Sequence, residues 1–227
     1  MLKFGLQKTT LIDFPEEVAC TLFTAGCNLR CPFCHNPELV IDINPSSLLF
    51  REEVFNFLKK RKGLLGGVCL SGGEPLMHPE LPEMITEIRQ MGFKIKIDTN
   101  GTYPERLKVI HADYIAMDIK TTPERYSLLH PDKTDLSDKI KESVKFLLNS
   151  GIAHEFRTTL VPGIFRHEDI IPVAGLIQGA DKYILTSYDP HNALDPEYRK
   201  IKAYPKKEIE KFAESFRNLG LECLLRM

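Results

Sequence analysis

An α/β domain built as an open, partial barrel of six (β/α) units is the fold class this sequence predicts. Three observations predict it. Strand-like apolar stretches alternate with helical periods about six times at short spacing, the pattern of parallel strands joined by helical crossovers. The 227 residues are tight for a full eight-unit barrel, which takes about 250. Polar and glycine-rich motifs fall at strand C-terminal ends, where parallel barrels carry their reactive groups.

Each element has its own signal. Lys3–Leu6 reads as a short strand closing one edge. Val18–Ala25 is apolar and β-rich, the first strand of the alternating series, and runs into a cysteine loop over residues 27–34. Phe50–Lys62 is helical, with Ser46 or Ser47 as candidate caps and Val54, Phe55 and Leu58 on one face. Gly63–Gly67 breaks that helix, and Val68–Ser71 is a short buried strand leading into Gly72-Gly73-Glu74-Pro75. A helix over Leu81–Met91 turns Met84, Ile85 and Ile88 inward. Phe93–Asp98 alternates Lys and Ile as a strand and ends in Asp98-Thr99-Asn100-Gly101.

Pro104–Ile110 is a short helix, and Tyr114–Ile119 a strand ending in Asp118-Ile119-Lys120. Thr121–Thr134 is polar and proline-containing, a loop. Asp135 and Ser137 precede a long amphipathic helix through Leu148, stopped by Asn149-Ser150-Gly151. His154–Val161 is a strand, His167–Gly179 a helix, Lys182–Thr186 a strand, and Ser187–Lys202 a loop. Pro205–Leu219 is a helix with proline at its start and Gly220 past its end, and Leu221–Arg226 a last strand. With no linker, repeat or low-complexity segment, residues 1–227 read as a single domain whose C-terminal helix and strand occupy about 205–226.

Composition excludes several classes. The net charge is −1, with no basic excess for general nucleic-acid binding. Nothing approaches the run of about 18 apolar residues that spans a membrane, and the start has no apolar signal region. The expectation is a cytoplasmic protein. Apolar residues make up 43%, enough for a core without disulfides, and three of the six cysteines are clustered. That usage favours metal binding.

The cluster is Cys27-x3-Cys31-x2-Cys34, in a run of Gly, Asn, Arg, Pro and His that reads as loop chemistry, not core chemistry. Thiolates hold iron–sulfur clusters, four of them in a closed four-iron site. Three on one loop leave one iron without a protein ligand. An open metal position is where a substrate or cofactor coordinates. Two other readings compete. Cys31-x-x-Cys34-His35 matches the haem-attachment pattern, but that belongs to exported proteins. A structural zinc or iron–sulfur site would need a remote fourth ligand, and Cys20, Cys69 and Cys223 lie far apart in apolar runs where they read as small buried residues.

The C-x3-C-x-aromatic-C pattern, with Phe33 as the aromatic, resembles the signature of the radical S-adenosylmethionine (SAM) superfamily, and the longer string FTAGCNLRCPFCHNPELV is similar to the activating proteins of glycyl-radical enzymes. Within those it most resembles the activating protein of anaerobic ribonucleoside-triphosphate reductase. The resemblance implies the partial-barrel fold of that family, a [4Fe–4S] cluster on Cys27, Cys31 and Cys34, and SAM as cofactor. It implies reductive cleavage of SAM to a 5′-deoxyadenosyl radical that removes a hydrogen atom. The substrate would be a glycine of a glycyl-radical partner, anaerobic ribonucleotide reductase, with flavodoxin or ferredoxin as reductant. A radical SAM enzyme acting on a small molecule, peptide or RNA is the alternative within enzymes.

The strand ends fit this expectation and also have plainer readings. Gly72-Gly73-Glu74 matches the family motif that binds the amino group of SAM; alone, it is a tight turn with Glu74 at a helix start. Thr99 and Asn100 occupy a position that approaches SAM in the family; alone, Asn100-Gly101 is a turn pair. Asp118 and Lys120 share one strand face and match the Asp-Leu-Lys that contacts SAM in pyruvate formate-lyase activating enzymes; alone, they are an ion pair. His35 is expected beside the cluster and SAM, and His191 is similar in position to a family histidine that touches the adenosine. Arg157 is weighed evenly between ligand contact and ion pair. His111, His130 and His154 read as structural or solvent-facing.

Overall fold

The computed structural model describes residues 2–41 and 43–226. Its contacts divide the chain into two compact units. The first comprises Met1–Asn28, Glu38–Thr99 and Glu105–Ile115, and the second Leu29–Pro37, Asn100–Pro104 and Ala116–Met227.

In the first unit, β1 (Lys3–Thr10) pairs antiparallel with β2 (Ala19–Thr24), and β3 (Leu49–Phe50) pairs antiparallel with β1. β1 is longer than the sequence suggests, because its register with β2 resumes at Thr10 after an irregularity between Gln7 and Thr10. β2 then runs parallel to β4 (Gly67–Gly72), and β4 parallel to β5 (Lys94–Thr99). The register aligns Leu22, Leu70 and Ile97 on one face, with Cys20, Val68 and Ile95 one pleat back. All six are fully buried. The other face carries Thr21, Cys69 and Lys96. Lys96 is 2% exposed. Its ammonium is paired with Asp98, which shares its strand face.

Helix α1 (Arg51–Arg61) follows β3 and buries Val54 and Leu58, with Phe55 partly covered. The serines do not cap it. Asn44 Oδ1 accepts the Ser46 N–H at 3.1 Å and opens a 3-10 turn over Pro45–Ser47, while Glu53 accepts the Phe50 N–H at 2.8 Å at the true helix start. Helix α2 (Leu81–Gln90) buries Leu81, Met84, Ile85 and Ile88. Helix α3 (Pro104–Leu107) is a single turn, shorter than its apolar run suggests.

Strand β6 (Tyr114–Asp118) carries the chain into the second unit. There β7 (Ala153–Leu160), β8 (Tyr183–Ser187) and β9 (Cys223–Arg226) form a parallel run. Helix α4 (Ser137–Ser150) ends where Gly151 adopts φ +70°. The segment read as a loop at 121–134 contains a 3-10 helix over Pro123–Leu128 that buries Tyr126. Helix α5 (Ile170–Leu176) is shorter than predicted at both ends: His167–Asp169 is a 3-10 turn, and the helix stops at Leu176, before Gly179. Helix α6 (Lys206–Asn218) buries Ile209, Phe212, Ala213 and Phe216, and Phe216 meets Tyr183 edge-on at 4.8 Å.

From β2 to α6 the chain therefore makes six successive β/α units, the α/β class expected, and every strand pairing in the β2–β4–β5 and β7–β8–β9 runs is parallel. Among the described residues, no helix is long and apolar enough to cross a membrane.

Candidate active site

In the first unit the ends of β2 and β4 are joined backbone to backbone. Gly73 N–H donates to Thr24 O and Glu74 N–H to Gly26 O, both at 2.9 Å. The approach is so close that a Cβ on Gly73 would lie 1.9 Å from Gly26 O. Glycine is required here by space. Gly72 precedes it at φ +109°. The Glu74 side chain is fully buried, and Oε1 accepts the Leu76 N–H at 3.0 Å and the Thr99 hydroxyl at 2.8 Å. The same glutamate thus caps the 3-10 turn Pro75–Met77 and bridges to the end of β5. This is the turn role of the motif's plainer reading, and a carboxylate is a group able to accept from an ammonium. Cys27 follows three residues after Thr24 and is partly exposed.

In the second unit, Cys31 and Cys34 sit on a turn closed by the Cys34 N–H to the Cys31 carbonyl at 3.0 Å. Cys31 and Phe33 are buried, and Cys34 is partly exposed. A segment far away in sequence holds this turn. Asp195 N–H donates to Pro32 O at 2.9 Å, Leu194 N–H to Cys34 O at 3.1 Å, and Asn192 Nδ2 to His35 O at 2.8 Å. Tyr188 sets its ring 5.9 Å from that of His35. Burial holds the His35 imidazole below the usual histidine range, with Asp189 pulling the other way and Lys120 adding to the fall.

In this unit Arg157 and Lys120 both pair with Asp118. Arg157 Nε meets its Oδ1 at 2.9 Å and Lys120 Nζ its Oδ2 at 3.2 Å. Tyr126 OH donates to Asp118 O and accepts the Lys120 N–H. Burial alone would raise the Asp118 pKa, but Arg157 and Lys120 more than offset this and hold it at about 2. Burial likewise works against the Lys120 ammonium, and Asp118 and the Cys31 thiol raise it above the usual lysine value. Arg157 is thus an ion-pair partner of Asp118, one of the two roles weighed for it.

Two expected residues have local tasks. Asn100 Oδ1 accepts the N–H and hydroxyl of Thr102 at 3.0 and 2.6 Å, forming the turn that Asn-Gly predicts, with Gly101 at φ +77°. His191 pairs with Asp189, and its side chain is 89% exposed. Sequence reading did not single out His78 or Asn192. Nothing local marks either, since each bonds a carbonyl far along the chain, Ala25 O and His35 O respectively.

The donor set suits an iron–sulfur cluster. The three cysteines share one loop, and soft thiolates are what such clusters take. The other three cysteines are buried within strands, and burial pushes the Cys20 and Cys223 thiols up to about 12, opposite to what a ligand thiolate needs. No group of three or more His, Cys, Asp or Glu side chains is gathered for a metal ion among the described residues. Type and spacing carry the assignment.

Comparison with known proteins agrees with this chemistry. Residues 21–171 match the profile of the radical SAM superfamily. The chain is 29% identical over 223 residues to a Methanocaldococcus jannaschii protein named as a glycyl-radical enzyme activating enzyme, covering 93% of this chain and 91% of that one. It is 27% identical over 236 residues to the pyruvate formate-lyase-activating enzyme of Clostridium pasteurianum, covering 95% and 96%. Among solved structures, Streptococcus suis SuiB bound to S-adenosylmethionine superposes with a TM-score of 0.65 at 15% identity, over 89% of this chain and 48% of SuiB, a likeness of fold. A profile match across well over half the chain, from β2 through the cysteine loop and the strand ends just described, shows that this protein belongs to the radical SAM superfamily, whose members use a [4Fe–4S] cluster and S-adenosylmethionine.

Proposed function

We propose that this protein activates a glycyl-radical enzyme, and that its target is anaerobic ribonucleotide reductase. The observation that carries the first part is end-to-end likeness to activating enzymes, over 93% and 95% of the chain. Likeness to the 7-carboxy-7-deazaguanine synthase of Methanopyrus kandleri extends over only 42% of it. The target rests on the FTAGCNLRCPFCHNPELV string alone.

Cys27, Cys31 and Cys34 would hold the cluster. When bound, the cluster and SAM supply one-electron reduction and a 5′-deoxyadenosyl radical able to take hydrogen from a glycine Cα. The chain's own residues bind and orient. Gly72, Gly73 and Glu74 present a close backbone and a buried carboxylate suited to the SAM ammonium group. Thr99 positions that carboxylate through its 2.8 Å hydrogen bond, and Asn100 shapes the turn beside it. Asp118 and Lys120 offer an acceptor and a donor to the ribose or the SAM carboxylate, with Arg157 keeping Asp118 ionised. Phe33 and His35 would flank the cofactor, and His191 the adenosine. Flavodoxin or ferredoxin would deliver the electron, in the cytoplasm.

The test is anaerobic incubation of the reconstituted protein with SAM, reduced flavodoxin and purified anaerobic ribonucleotide reductase, read by electron paramagnetic resonance. The expected result is a glycyl-radical signal on the reductase. SAM cleavage without that signal, alongside a signal on a different glycyl-radical enzyme, would overturn the target. SAM cleavage that needs a small molecule, with no signal on any glycyl-radical enzyme, would overturn the activating role.

A further inference from the structure

Three consecutive carbonyls lead into Cys27, and all three accept from the segment that follows β4. Thr24 O accepts from Gly73 N–H, Gly26 O from Glu74 N–H, and Ala25 O from the His78 ring at 3.0 Å. A carbonyl only accepts, so Nε2 of His78 carries the proton in this bond. The first two contacts are backbone to backbone. The third is made by a side chain, and it acts on a peptide plane that adjoins a glycine. Ala25 O and Gly26 N–H belong to one peptide, and Gly26 has φ +94°, where a glycine permits rotation that other residues resist. Gly26 N–H is tied to Leu39 O at 2.7 Å and Ala25 O to His78, so the plane is pinned at both ends.

His78 is itself held firmly. Its N–H bonds Pro75 O at 3.2 Å at the end of the 3-10 turn that Glu74 caps, and Arg106 bonds Leu76 O within that turn at 2.6 Å. The ring is half-buried.

We propose that His78 is a positioning residue for the cluster loop: its Nε2–H fixes the Ala25–Gly26 peptide and so sets the direction in which the backbone leaves β2 toward Cys27. The importance of that direction rests on the reading of Cys27 as a cluster ligand. The hydrogen bond and its effect on the loop do not.

The test uses amide hydrogen exchange of the metal-free full chain in the wild type, His78→Leu, His78→Gln and His78→Asn. The Gln amide nitrogen sits about where Nε2 does, whereas Asn is too short to reach. Loss of one hydrogen bond predicts roughly fivefold faster exchange at Gly26 and Glu74 in the Leu and Asn variants. The Gln variant should stay near wild type, with Phe212 in α6 unchanged throughout. Anaerobic reconstitution followed by a chelator challenge should then show faster cluster loss in Leu and Asn than in Gln. Wild-type exchange rates in the Leu variant would overturn the proposal. Should the Leu variant fail to fold, shown by fast exchange at Phe212, equal rates in Gln and Asn would overturn it. A wild-type chain that takes up no iron would sink the cluster reading instead, with the exchange comparison still deciding the role of His78.

Discussion

The two units secure their polar strand ends by different means. In the first, the close contacts are backbone hydrogen bonds and a fully buried Glu74 bonded to an N–H and a hydroxyl, with glycine where space runs out. In the second, Asp118 is clamped between Arg157 and Lys120, and its side chain stays one third exposed. The first arrangement is sensitive to volume, because a backbone atom cannot move aside for a new methyl group. The second is sensitive to charge, because Asp118 remains ionised through its two cations. Size-changing and charge-changing substitutions should therefore sort the two regions.

Gly73→Ala should be the most damaging change. Its Cβ would meet Gly26 O at 1.9 Å and Gly26 C at 2.6 Å, both backbone atoms. Overpacking of this kind costs about 3 kcal/mol. The urea midpoint of the metal-free protein should fall accordingly, and a midpoint within error of wild type would break the volume side of the comparison.

Arg157→Met tests the charge side at nearly constant volume. Breaking a fully buried pair costs about 3–5 kcal/mol. Here solvent reaches Asp118 and Lys120 remains, so we expect about 2 kcal/mol after discounting for screening. Chemical denaturation at pH 7 measures it, and a loss matching that of an exposed arginine would show that the clamp is not needed.

The acid limb sharpens this further. Asp118 has a folded pKa of about 2, below its unfolded value of about 3.9, so its stabilising contribution is complete above about pH 4 and is lost as pH falls toward 2. Arg157→Met removes much of that depression. The stability gap between wild type and variant should then narrow by about 1 kcal/mol from pH 4 to pH 2. A constant gap would mean that Arg157 acts by packing and not by charge.

The smallest effect should come from Asn192→Ala, which removes one exposed hydrogen bond to His35 O. We expect less than about 1 kcal/mol in stability, with exchange of the Cys34 amide speeding up and the amides of α6 unchanged.

Much of the fold was legible because its signals are local. The β/α alternation, the buried face of α2, and the proline and glycine bounding α6 each follow from periodicity or from one residue's backbone preference. The burial of Lys96 was also within reach, since Asp98 two residues on shares its strand face. The start of α1 was not, because Ser46 and Ser47 are competent caps by residue type, yet β3 carries the chain past them and Phe50 takes the position before the helix. The site divides the same way. Glycines and cysteines announce themselves by spacing. His78 on Ala25, 53 residues apart, and Asn192 on His35, 157 apart, do not, because only the folded chain brings them together.

On this reading the three loop cysteines, and not the buried ones, support radical SAM chemistry. Anaerobic reconstitution with iron and sulfide, followed by dithionite and SAM, and quantitation of 5′-deoxyadenosine would test it most directly across wild type, Cys31→Ala and Cys223→Ala. Wild type and Cys223→Ala should yield 5′-deoxyadenosine and Cys31→Ala none. Undiminished product from Cys31→Ala, or a cluster-loaded wild type that leaves SAM intact, would contradict it.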